Sequence, residues 1–175
     1  CLGTIWMFMP LLTDELFGLS SSATGLLIAL LVLMGAVSAP VSGYFSDRID
    51  KRLITHTGLT LIALAVGAIV LISNIWIFVA LAIFIGLANG IAMTSINAMA
   101  VVLGKKMHAM GSIMSIMLLG HGLAMFSGPI MSGVLMDILS LKISLLICAM
   151  ILIVSVLGFL RMTAGFGDLE KSVAE

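Results

Sequence analysis

Two amides, a thioether and one imidazole are the groups in this chain best suited to recognise a solute in apolar surroundings. Asn89, Met93 and Asn97 follow one another at four-residue intervals, so on a helix they share one face. Gly86 and Gly90 flank that face and leave room for a ligand or a neighbouring helix. His121 stands in a separate apolar stretch. An imidazole titrates near neutral pH, so such a group can bind a solute or carry a proton. The competing reading makes the asparagines interhelical glue, at about 0.6 kcal/mol per bond. It gives the histidine a backbone carbonyl as partner.

Other chemistries are poorly supplied. Met110, Met114, Met117, His121 and Met125 fall on one helical stripe. Thioethers with an imidazole suit Cu(I), but no paired His or Cys joins them. Methionine, of which the chain has 14, also packs adaptably. No metal site and no cofactor is expected. Ser112, Ser115 and His121 share one stretch, as an intramembrane serine protease would require of a nucleophile and base. Ser112 and His121 are, however, on opposed faces and roughly 13 Å apart along a helix, and no G-x-S-G sequence occurs. The chain is not read as an enzyme.

The elements that hold these groups follow from composition. The 175 residues are 62% hydrophobic and 9% charged, with a mean hydropathy of +1.32. A soluble domain carries about 25% charge, and disorder needs low hydrophobicity with high net charge. Both classes are excluded. The zero net charge makes nucleic acid an implausible partner. Cys1 and Cys148 form no disulfide or zinc pattern. A bilayer core asks for about 20 apolar residues per helix, and the chain supplies six such segments. They run over about 2–12, 23–44, 53–72, 76–103, 110–136 and 143–162, within a transmembrane unit spanning 1–162.

The first segment is only half a span, and we expect it to be a truncated helix, since the chain opens on Cys1 without a signal peptide. Ser20, Ser21 and Ser22 suit a helix start. Asn74 marks a tight turn, and Gly104-Lys105-Lys106 a break. The tail, 163–175, reads as solvated. No span interior holds Asp, Glu, Lys or Arg, each of which costs about 2.5–3.5 kcal/mol at the bilayer centre. Basic residues gather in alternate loops: Arg48, Lys51 and Arg52, then Lys105 and Lys106, then Arg161 and Lys171. The positive-inside rule places these loops and the C-terminus in the cytoplasm. His56 falls near that surface and is expected to be interfacial.

The loop after the second span reads Gly43-Tyr44-Phe45-Ser46-Asp47-Arg48-Ile49-Asp50-Lys51-Arg52. It resembles the signature loop of the major facilitator superfamily, G-x-x-x-D-R-x-G-R-R/K. Gly43, Asp47, Arg48, Lys51 and Arg52 match, while Asp50 replaces the second glycine and puts the tight turn there in doubt. A glycine at a helix end permits close helix approach. Asp47 can complement the dipole of a neighbouring helix N-terminus. In that family the loop is associated with locking one face of the transporter. Gly128-Pro129-Ile-Met-Ser-Gly133 in the fifth span is similar to the family's G-P-x-x-x-G pattern, whose plain counterpart is a tolerated proline kink.

The resemblance implies an all-α polytopic membrane protein, six helices forming one half of a twelve-helix transporter. The fourth span lacks the arginine of first repeats, so the chain resembles the C-terminal repeat, helices 7–12. The expected partners are the missing N-terminal six-helix repeat, the lipid bilayer and a small-molecule substrate. The expected activity is secondary active transport by alternating access, ion- or proton-coupled, in a bacterial or archaeal cytoplasmic membrane. The alternatives are the intramembrane enzyme or a non-transporting scaffold or degenerate half. In the family the first and fourth helices of a repeat line the cavity, which implies Asn89, Met93 and Asn97 as substrate-binding residues; His121, near the middle of the fifth span, joins them because family substrate sites lie at that depth.

Overall fold

Ser20 opens the first of five long helices. The computed structural model describes residues 9, 10, 12–14, 17–72, 74–139 and 141–163. Helix α1 covers Ser21–Ser46, and the Ser20 hydroxyl accepts from the Ala23 N–H at its start. Helix α2 covers Lys51–Ile69, with Asp50 as its cap: the carboxylate accepts from the Arg52 N–H at 2.9 Å. Asp50 thus stands where the family pattern has glycine and starts a helix with its side chain. Helix α3 covers Ile75–Lys106 and is capped by Asn74, which accepts from the Trp76 N–H at 2.9 Å. Helix α4 covers Met110–Ile138 and runs through Pro129, while α5 covers Leu141–Met162. Among the described residues these five are long and apolar enough to cross a membrane.

Most of the expected first span, and the tail from 164 onward, lie outside the described residues. What is described of the N-terminal segment is helical as far as Phe17, beyond the expected end near Leu12. Its stop is a local one. Gly18, at φ +60°, donates to the Asp14 carbonyl, and Leu19 donates to the Thr13 carbonyl. That pair of bonds is the left-handed glycine end of a helix. Thr13 is fully buried and its Oγ1 lies 2.7 Å from Thr24 Oγ1, which pins this segment to α1.

Helix α3 is the hub. It packs against both α1 and α2; α5 packs on α2, and α4 touches α3 with only a light contact to α5. Lipid is as apolar as leucine, so helices in a membrane associate through close packing and hydrogen bonds. The close packing is visible at three glycines. A Cβ on Gly86 would run into the Leu31 carbonyl, and one on Gly90 into Ser38 Oγ and the Gly35 carbonyl. One on Gly58 would lie 3.0 Å from the Ala92 Cβ, so α2 and α3 also touch backbone to backbone. Gly43, expected to mark a close approach, meets only ordinary contact, Thr94 Cγ2 at 3.9 Å.

The buried core lies between α2, α3 and α5, where Ile62, Val66, Phe78, Ile85, Leu145 and Leu152 meet. Helix α4 is different. None of its described residues is buried, and Leu118, Leu123, Phe126 and Met131 stand exposed along it. It begins close to the end of α3: Met110 Cα would lie 3.1 Å from a Cβ on Gly104. The α3 helix passes through Gly104, where the sequence suggested a break, and the chain turns at 107–109. His108 takes φ +50° in that turn.

Candidate functional site

Asn89, Met93 and Asn97 line one wall of a groove between α1 and α3. The opposite wall is α1, where Gly35, Ala36 and Ala39 keep the surface low. The cavity volume is about 380 Å³, within the usual range of small-molecule sites. Thr94 is the remaining polar side chain, and no charged group reaches the groove. Its chemistry is that of uncharged hydrogen bonding against small apolar surfaces.

The three α3 residues are not equivalent. Met93 is half-buried and Asn97 is exposed. Asn89 is half-buried, yet its Oδ1 is sealed from solvent and has no hydrogen-bond partner among the described residues. Buried amide oxygens are normally satisfied, and an unpaired one costs about 1–3 kcal/mol. Asn89 and Asn97 are two helical turns apart, about 12 Å along the axis. One small solute therefore engages one amide or the other. The site centres on Asn89.

His121 is not brought to this groove. It is exposed on α4, outside the residues that line the cavity. Its stripe mates Met114 and Met117 are half-buried on the same helix. Among the described residues no three His, Cys, Asp or Glu groups converge. Gly128, Pro129 and Gly133 also lie on α4, and a Cβ on Gly133 would meet open space. His56 lies in the first turns of α2, half-buried, with Nδ1 3.4 Å from Thr60 Oγ1.

The α1–α2 loop has its own construction. Asp47 ends α1, its N–H donating to the Gly43 carbonyl at 3.1 Å, and its carboxylate is exposed without an ion pair among the described residues. The Arg48 guanidinium stacks 4.1 Å over the Tyr44 ring, a cation–π contact that holds the arginine back along α1. Lys51 and Arg52 form the first turn of α2. The Lys51 carbonyl accepts from Thr55 Oγ1 at 2.9 Å and from Ser95 Oγ at 2.7 Å.

Sequence reasoning missed the α1 wall. Gly35, Ala36 and Ala39 carry no chemistry by type, and small residues in an apolar span look like packing. A signal was present in Pro40, inside α1. Proline has no N–H for the carbonyl four residues back, so Ala36, on the groove, receives no helical hydrogen bond. Ser38 and Ser42 were also passed over, although their hydroxyls tie α1 to the Leu87 and Ile91 carbonyls of α3.

No curated protein and no solved structure matches the chain. The family description that does match is the Major Facilitator Superfamily, over residues 1–171. Nearly the whole length is covered, the helices are apolar and long enough to span a bilayer, and the loop from Gly43 to Arg52 carries the family's signature residues. The chain belongs to the major facilitator superfamily of membrane transporters.

Proposed function

We propose that this chain is one six-helix repeat of a secondary transporter, and that the α1–α3 groove is its share of the substrate site. The observation that carries this is Asn89: an amide oxygen buried beside a cavity, with no partner among the described residues. Rotation of the Asn89 side chain toward the groove presents its amide to a solute bearing a hydroxyl or amide, which then supplies the missing bond. The uncharged lining favours a neutral solute at this wall. The repeat corresponds to helices 7–12 and works against an N-terminal repeat that rocks about the substrate. An ion or proton gradient drives the cycle. The loops at 45–52 and 104–109 and the C-terminus face the cytoplasm by their basic residues. Gly43, Asp47, Arg48, Lys51 and Arg52 act as the latch of one face, and Gly128, Pro129 and Gly133 set the course of α4. His121 lies on the uncovered α4, outside the groove, so its part is with the proton, across a surface that the other repeat completes, and not with the solute held in the groove.

The test uses the full-length protein in proteoliposomes, with a solute found by an uptake screen of small neutral compounds. Asn89→Ala weakens binding of that solute roughly three- to tenfold, the worth of one hydrogen bond, and leaves the melting temperature unchanged. His121→Ala leaves the affinity within about twofold, because the residue is outside the groove. Normal affinity with a lowered melting temperature in Asn89→Ala would return the asparagine to packing.

A further inference from the structure

Four hydroxyl contacts step along one stripe of α3. Ser38 Oγ on α1 donates to the Leu87 carbonyl at 3.0 Å, and Ser42 Oγ to the Ile91 carbonyl at 3.1 Å. One turn on, Ser95 Oγ reaches out from α3 and donates to the Lys51 carbonyl at 2.7 Å. A turn beyond that, Met99 Sδ accepts from Thr55 Oγ1 at 3.8 Å. Residues 87, 91, 95 and 99 are each four apart and share a helix face. The first two contacts hold α1, and the last two hold the beginning of α2. The signature loop joins those helices, so both of its ends are tied to the same stripe.

Ser95 reaches across to α2 instead of bonding within its own helix. A helical serine ordinarily bonds back to the carbonyl four residues earlier, which here is Ile91. That carbonyl takes Ser42 from α1 instead. Ser95 is fully buried, at 0% exposure, so its hydroxyl must find another acceptor inside the protein. The acceptor it finds is the Lys51 carbonyl, the first residue of α2 and part of the signature loop. Thr55, by contrast, already bonds to Lys51 within its own helix.

We propose that Ser95 is a positioning residue for transport: its Oγ clamps the exit of the signature loop onto the helix that carries Asn89. The clamp lies six residues from Asn89, about 9 Å along α3. Movement of the loop is thereby movement of the groove wall, and α1, the loop, α2 and α3 travel as one piece. The inference rests on the reading of the loop as a latch.

The experiment is hydrogen exchange by mass spectrometry on the full-length protein in nanodiscs, comparing wild type, Ser95→Ala and Ser95→Cys. In Ser95→Ala, amide exchange over 45–54 rises about fivefold, as loss of one hydrogen bond allows, and exchange over 75–86 is unchanged. Ser95→Cys, of similar volume and a weaker donor, falls between alanine and wild type. Equal exchange over 45–54 in all three proteins would overturn the clamp. So would an equal rise in both segments, which is general loosening of α3. The latch is tested apart from this by transport in Asp47→Asn: a wild-type rate there refutes the latch while the exchange result still decides the clamp.

Discussion

Replacing Gly90 with alanine puts a methyl group where α1 crosses α3. On the present backbone that methyl overlaps Ser38 Oγ and the carbonyl oxygen of Gly35. Ser38 can rotate away, but it then forfeits its bond to Leu87. The Gly35 carbonyl is main chain and yields only if α1 moves. Alanine gains about 1 kcal/mol in helix propensity. Against this stand about 1–3 kcal/mol for overpacking and about 0.6 kcal/mol for the interhelical bond. The net loss is about 0.6–2.6 kcal/mol. Gly158 in α5 is the matched control, because a Cβ there meets nothing within 4 Å. Gly158→Ala keeps the propensity gain, so the two variants differ by about 1.6–3.6 kcal/mol. Equilibrium unfolding in mixed micelles, followed by far-UV circular dichroism, reads that difference. Equal stability of the two variants would show that the α1–α3 contact is looser than the structure has it.

Asp47→Asn is expected to slow transport severalfold, since a charge-to-dipole latch is worth roughly 0.3–2 kcal/mol. The exposed carboxylate makes no ion pair among the described residues, so yield and melting temperature stay level; a lowered melting temperature that accounts for the slowing would refute the latch. For orientation, single cysteines at Ile49 and Leu71 suit labelling, because both positions are exposed and lie beyond opposite ends of α2. In a background without Cys1 and Cys148, an impermeant maleimide added outside cells should modify Leu71→Cys and spare Ile49→Cys. The opposite pattern would invert the topology.

What was legible in the sequence was local. Ser20 and Asn74 cap their helices with side chains suited to that task, and the four-residue spacing of Asn89, Met93 and Asn97 survives as one groove wall. The choice of partner helix was not legible. In water an apolar stripe says which face turns inward; in lipid every face is apolar, and contact is chosen by small residues and hydroxyls. Ser38, Ser42 and Ser95 therefore decide the packing while looking incidental. His121 shows the same gap. Counting along a span gives depth but says nothing of the direction a side chain takes around the helix, and His121 is exposed on α4 and does not line the groove. Ser46 is a smaller instance: it belongs to a loop by charge pattern, yet it is the buried last residue of α1.

Helix α3 is longer than a bilayer requires. Its 32 residues reach about 48 Å, against a hydrocarbon core of about 30 Å. The bond from Ser95 to Lys51 fixes where the α1–α2 turn meets it, and residues 96–106 continue past that level for about 16 Å. Ala98, Met99, Ala100, Val101, Val102 and Leu103 in this extension offer water little to bind. Met99 and Ala100 are buried in it, Met99 against Thr55 of α2, so the protein covers part of the extension, and a helix of this length fits a bilayer by tilting or by thickening the lipid at its exposed side. The α3–α4 turn thus lies farther along α3 than the level at which the α1–α2 turn meets it.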